Sequence, residues 1–153
     1  TKGIEDLKEL ANSLPENIKL VVVGGTLSSN TTTIENALCI PRTNTVKKLC
    51  EIYSASDAFI NLTKQDTFPT VNIEALACGL PAITYKTGGS PEILTEKTGI
   101  VVEKNNIEKM KEVLNELSKN NSFKKEDCIE VASHYSLDNM YEAYLKLYEE
   151  ISK

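Results

Sequence analysis

The sequence predicts an α/β domain built on a doubly wound parallel sheet flanked by helices. Three observations carry that expectation. Short β-branched or apolar runs alternate with stretches of helical periodicity along the chain. No two strand candidates are joined by a hairpin turn, and parallel strands need long crossovers, usually helical. Two of the strands run into paired glycines, Gly24-Gly25 and Gly88-Gly89.

The first fourteen residues place Ile4, Leu7, Leu10, Ala11 and Leu14 on one helical face, and Pro15 ends the pattern. Leu20 to Val23 then read as a strand buried on both faces. LSSNTTT is a loop by composition, and Ala37 to Ile40 is a weaker strand candidate. A helix follows with Val46, Leu49, Cys50 and Tyr53 on one face and Thr43 or Asn44 as its N-cap. DAFINL is a buried strand. The loop TKQDTFP leads into the short helix TVNIEALACG, which Gly79 caps. PAITY is a strand, KTGGS a glycine loop, PEIL one helical turn and TGIVVE a strand. The rest is helical, over Ile107 to Leu117, Lys124 to Ala132 and Leu137 to Ile151. With no internal repeat and no linker, residues 1–153 read as one domain.

Bulk properties exclude several classes. At 41% hydrophobic and 25% charged residues the composition is that of a globular protein. The formal charge is −5, and the densest basic runs are the pairs Lys47-Lys48 and Lys124-Lys125, so no nucleic-acid partner is expected. No apolar run approaches the length of a membrane span, and TKGIEDLKEL has no signal-peptide core. The expected location is cytoplasmic. Cys39, Cys50, Cys78 and Cys128 show no C-x-x-C spacing and read as reduced, partly buried thiols. The one histidine, His134, has no second ligand nearby in sequence, so no metal site is expected; it reads as a surface or capping residue. Three N-x-S/T triplets, at Asn30, Asn61 and Asn120, read as chance.

Ligands of such folds bind at the carboxyl ends of the strands. That rule selects the loops at Gly24, Thr63 to Pro69 and Lys86 to Ser90. In DTFPTVNIEALACG, Asp66 lies in a loop and Glu74 one turn into a helix, eight positions on. Pro69 fits the first helical turn, which leaves the amides near Thr70 and Val71 as unpaired donors at a positive helix end. Glu74 on that side can accept two ribose hydroxyls. A plain structural reading stands beside this one: Asp66 favours the helix dipole and Glu74 is an exposed helical residue. In KTGGSPE, adjacent glycines permit close backbone approach and an anion nest, or make an ordinary strand-to-helix turn. Lys2-Gly3 is too short a feature to read unaided. No G-x-G-x-x-G follows a strand, and no P-loop or G-x-S-x-G elbow is present.

The run DAFINLTKQDTFPTVNIEALACGLPAITYKTGGSPEIL resembles the carboxyl-terminal half of family 4 retaining glycosyltransferases. TKGIEDLKELANSLP, VVVGG, TGIVVE and YSLDNMYEAYLKLYEEI are similar to further family segments, so the resemblance covers nearly the whole chain. It implies a Rossmann-like half of a GT-B enzyme, with the first strand and the amino-terminal acceptor domain lying outside this chain. It also implies transfer of a sugar from a UDP- or GDP-sugar to an acceptor, in glycan, polysaccharide or glycolipid synthesis, by a full-length enzyme of which this part alone is inactive. Carried over by position, Glu74 binds the donor ribose and Asp66 takes the place of the motif's first carboxylate, the candidate catalytic group. Most members have E-G-F-G where this chain has D-T-F-P. Phe68, Pro69, Thr70 and Val71 contact donor sugar or phosphate, and Gly88, Gly89 and Ser90 lie close to the donor. Lys2 matches a diphosphate-binding lysine whose companion arginine lies outside this chain. Arg42, Thr43 and Asn44 lie near the base. The family needs no metal, because cations and helix N-termini neutralise the leaving diphosphate, so no cofactor is expected. Full-length members often work at membrane surfaces, but no basic amphipathic stripe is present here. The alternatives are a non-catalytic nucleotide-sugar-binding or regulatory module, favoured by Asp66 and the absent arginine, and a sugar-nucleotide epimerase of the same architecture.

Overall fold

A computed structural model describes residues 2–24 and 34–152. The expected LSSNTTT loop and Gly25 fall outside them, apart from the glycine-ended strand that precedes. Along the chain the elements are α1 (Ile4–Ser13), β1 (Leu20–Val23), β2 (Ala37–Ile40), α2 (Val46–Ser54), β3 (Phe59–Asn61) and α3 (Thr70–Ala77). There follow β4 (Ala82–Tyr85), α4 (Ser90–Ile93), β5 (Gly99–Val102), α5 (Ile107–Lys119), α6 (Lys125–Ser133) and α7 (Leu137–Ile151).

All strand pairs are parallel, as the absence of hairpin turns requires. The expected single sheet is divided into two ladders, β1-β2 and β3-β4-β5, and among the described residues no ladder joins them. Packing joins them instead. Ile60 of β3, Leu7 of α1 and Leu14 just past that helix rest on a cluster formed by Ala11, Leu20 and Ile34. The division also corrects the reading of β1 as buried on both faces. Its Leu20 is buried but Val21 is exposed, because a two-stranded ladder is not covered as β4 is. β4 lies between β3 and β5 and has all four residues buried.

Helices pack on both faces. α1 and α5 place Leu10, Ile107, Met110, Val113 and Leu114 against Ile83, Tyr85 and Val102 of the sheet. α3, α4 and α6 form a second cluster through Leu76, Ile93, Cys128 and Ala132. The caps follow local chemistry. The N-cap of α2 is Thr45, not Thr43 or Asn44: its backbone is extended and its side chain accepts the Lys48 N–H at 3.2 Å. Asn106 and Ser136 cap α5 and α7 in the same way. Val46, expected on the buried face of α2, is exposed, since it occupies the first turn, ahead of the half-buried Leu49, Cys50 and Tyr53. His134 is the exposed C-cap residue of α6, as its position in sequence suggested. No residue of α7 is buried. Among the described residues no helix is long and apolar enough to cross a membrane.

Candidate functional site

The carboxyl ends of β3 and β4 are held in place by buried polar groups. Asn61, the last residue of β3, donates from Nδ2 to Asn72 Oδ1 at 2.9 Å and accepts the Thr63 N–H at 3.1 Å. Asn72 lies in the first turn of α3 and is fully enclosed, so a single amide pair fixes strand, loop and helix together. Thr87, just past β4, donates its hydroxyl to the Thr63 carbonyl at 2.9 Å. From the other side, Asp6 of α1 accepts the Tyr85 hydroxyl at 2.8 Å and pairs with Lys64 Nζ at 2.6 Å. Burial, and then the Asp6 carboxylate, push the Tyr85 phenol well above the ordinary tyrosine range, which keeps it a hydrogen-bond donor.

On this floor opens a cavity of about 450 Å³ lined by Lys2, Thr63, Gln65, Asp66 and Thr67. Lys2 reaches it because Gly3 takes a left-handed turn (φ 67°) against the end of β3. A Cβ at Gly3 would collide with the Leu62 carbonyl, so only glycine lets the chain pass there. Asp66 is half-buried and accepts the Phe68 N–H through Oδ1 at 3.2 Å, which shapes the turn before α3. Pro69 is the N-cap position of α3, one residue earlier than the first-turn placement expected from sequence. No side chain caps this helix, so the Thr70 and Val71 amides face its open end, and both residues are exposed.

The glycine loop is engaged within the protein at two of its amides. Gly89 donates its N–H to the Thr67 carbonyl at 2.8 Å and Ser90 to Thr87 at 3.0 Å, so these two amides are engaged within the protein rather than open as an anion nest. Gly88 has φ 49°, and a Cβ there would overlap the Asp66 carbonyl. At Gly89 it would meet Phe68 and Thr67. The two glycines therefore let the 66–68 loop lie directly on the 87–90 loop. Phe68 packs at 5.8 Å (ring centres) against Tyr135, whose hydroxyl donates to the Glu92 carbonyl.

The structure thus brings Lys2 and Asp66 to one cavity, with Phe68, Gly88 and Gly89 behind it. Glu74, Arg42, Thr43 and Asn44 do not line that cavity. Glu74 is exposed on α3 and accepts the Tyr53 hydroxyl of α2 at Oε2, 3.4 Å away. Residues 42–44 form the loop that enters α2. Burial and the Glu74 charge raise the Tyr53 phenol far above its usual range, so it too stays a donor. Sequence reading selected the 63–69 loop but not Thr63, Gln65 or Thr67 individually. It counted Tyr53 as apolar helix face, and it missed Asp6 and Lys64, which carry no motif. The one available signal was the charge of Asp6 on the side of α1 next to Leu7 and Leu10.

A parallel α/β domain flanked by helices matches the fold of the carboxyl-terminal domains of GT-B glycosyltransferases. The chain belongs to the glycosyl transferases group 1 family, whose model matches residues 1–134. Among solved structures, Anabaena HepE in complex with UDP superposes with a TM-score of 0.81 at 16% identity, over 97% of this chain and 45% of that one. The carboxyl-terminal domain of the group 1 protein LpcC from Francisella tularensis gives 0.72 at 19% identity, over 88% and 80%. The Bacillus subtilis spore coat protein SA is 30% identical over 110 residues, covering 67% of this chain. A GDP-mannose-dependent mannosyltransferase of Corynebacterium glutamicum is 49% identical over 47 residues, covering 31% of this chain. The chain spans only 29% and 12% of the length of these two relatives.

Proposed function

We propose that this chain is the donor-binding domain of a retaining glycosyltransferase that uses a nucleotide-diphosphate sugar, with the acceptor bound by another part of the full-length protein. The observation that carries the reading is the cavity shared by Lys2 and Asp66 beside the uncapped amino terminus of α3. A cation lining the cavity and a helix N-terminus a few residues along the chain from it suit a diphosphate, whose charge both attract. In this reading Lys2 and the Thr70 and Val71 amides hold the diphosphate, and Phe68 and Pro69 bound the sugar. The 88–90 loop sets the height of the 66–68 turn beneath the donor. Glu74 accepts the ribose hydroxyls, and residues 42–44 face the base. Neutralisation of the leaving diphosphate by these groups supplies the electrostatic part of catalysis without a metal. HepE, solved with UDP and with UDP-glucose, and the GDP-mannose-dependent relative support a nucleoside-diphosphate donor.

Titration calorimetry of the chain with UDP and GDP tests this. One nucleotide is expected to bind, and Glu74→Ala is expected to weaken it by about 1.5–3 kcal/mol, the worth of a charge-assisted hydrogen bond. No heat with either nucleotide at millimolar concentration overturns the reading. A non-catalytic donor-binding module is the second reading, and one observation favours it: Asp66 Oδ1 is already engaged by the Phe68 amide. Asp66→Asn in the full-length protein separates the two. Loss of sugar transfer with donor binding retained supports the enzyme, and a full-length parent that transfers no sugar supports the module.

A further inference from the structure

Lys64 stands in sequence between two residues of the cavity wall, Thr63 and Gln65, yet does not line the cavity itself. Its ammonium is committed to Asp6 Oδ1 of α1 at 2.6 Å. Asp6 is fastened in turn, because its other oxygen accepts the hydroxyl of Tyr85, the last residue of the wholly buried β4, at 2.8 Å. This is not a surface pair of the kind that contributes little. Only 11% of the Asp6 side chain and 32% of the Lys64 side chain are exposed, whereas both partners of Lys86–Glu103 are more than half exposed. Each end of the pair is tied to a different part of the cavity wall. Asp6 lies in the first turn of α1, whose N-cap Gly3 accepts the Leu7 N–H at 2.9 Å, and Lys2 is the next residue out. Gly3 also lies against the Leu62 carbonyl, two residues before Lys64. α1 therefore meets the 62–64 segment twice. The backbone contact at Gly3 sets where the helix starts, and the ion pair one turn on sets how that start is turned.

We propose that Lys64 is a positioning residue for the nucleotide site: paired with Asp6, it holds the start of α1 against the 63–67 loop, so that Lys2 stands ready for a diphosphate in the cavity it shares with Asp66. The proposal rests on the donor-site reading given above. Lys64 does not itself bind the donor, since its charge is already answered by a carboxylate, and Lys2 is left as the lysine of this cavity. A cation that is placed beforehand loses less freedom when the ligand arrives, so nucleotide affinity depends on the pair although neither member touches the nucleotide.

The test is titration of the chain with UDP and GDP, carried to millimolar nucleotide, on Lys64→Met, Lys64→Arg, Asp6→Asn, Lys2→Met and the Lys2→Met, Lys64→Met double variant. Methionine keeps most of the lysine stem without its charge. Lys64→Met is expected to weaken whichever nucleotide the parent binds by about fivefold. Lys64→Arg is expected to restore most of that, because Arg still pairs with Asp6. Asp6→Asn keeps an acceptor for Tyr85 and is expected to weaken binding by a similar factor, even though it frees the Lys64 ammonium. Against Lys2→Met, the added Lys64→Met is expected to change affinity by less than about twofold, because the residue it places is gone. Stronger binding by Asp6→Asn overturns the proposal, since the freed ammonium is then a direct ligand of the phosphates. The same loss from Lys64→Met with and without Lys2 also overturns it, and makes Lys64 a general support of the fold. Unchanged affinity in Lys64→Met, in a chain that binds a nucleotide, overturns the positioning role and leaves the donor-site reading standing. A parent chain that binds neither nucleotide overturns both.

Discussion

Glu74 is an exposed carboxylate on a short helix, yet one of its oxygens has a fixed partner in Tyr53. A phenol held far above its ordinary titration range stays a donor, so Tyr53 favours one Glu74 rotamer, the one the proposed ribose contact would use. Tyr53→Phe is expected to weaken nucleotide binding by about 0.5–1.5 kcal/mol while leaving the urea midpoint nearly unchanged; calorimetry alongside unfolding checks both. Asp6 acts differently, because it is buried between a phenol and an ammonium. Asp6→Ala strands the enclosed Tyr85 hydroxyl and unpairs Lys64, with an expected loss of about 3 kcal/mol in urea unfolding. Asp6→Asn keeps the Tyr85 bond and is expected to lose roughly half as much.

The β3–α3 and β4–α4 connections behave as one unit, because Gly88 and Gly89 lie directly under the 66–68 backbone. Gly88→Ala combines a positive φ with an overlap on the Asp66 carbonyl. It is expected to displace the turn and abolish nucleotide binding at a cost of about 1–3 kcal/mol in stability, read by calorimetry and urea unfolding. By contrast α7 buries no residue, so a stop after Tyr135 is expected to leave the melting temperature within about 4 °C of the parent, by differential scanning calorimetry. The sequence made most of these elements legible: β2, α7 and the Gly79 cap stand where periodicity and composition put them. Its limits were of two kinds. Burial of β1 depends on which strands flank it, and a run such as LVVV says nothing of that. The contacts of the glycine loop depend on a carbonyl more than twenty residues away, so local reading leaves an anion nest and an ordinary strand-to-helix turn both open. Thr63, Tyr53 and Asp6 were invisible for the same reason, since each acts through a partner distant in sequence.

At the scale of the whole molecule, the enclosed thiols and phenols set how the fold responds to alkali. The Cys128 thiol is pushed up to about 11 by burial and by Asp127, against 9.0 in the unfolded chain. Between those values the folded chain keeps a proton that the unfolded chain has released. The contribution is therefore complete below pH 9 and is lost as pH rises toward 11. Cys78 acts in the same sense, and Tyr85 and Tyr53 extend it to higher pH. Urea midpoints are expected to fall steadily from pH 9 to 11, and Cys128→Ala to flatten that slope by about 1–2 kcal/mol. The carboxamides beneath the cavity have a further use. Asn72 is fully enclosed and its Nδ2 donates to nothing among the described residues, while Asn61 Nδ2 is bonded to it. Their side-chain NH₂ groups are sheltered from exchange with bulk water, so in a ¹⁵N-labelled sample they serve as resident spectroscopic reporters. A shift in either signal registers a change in the seating of α3 on β3, with no ligand needed to read it.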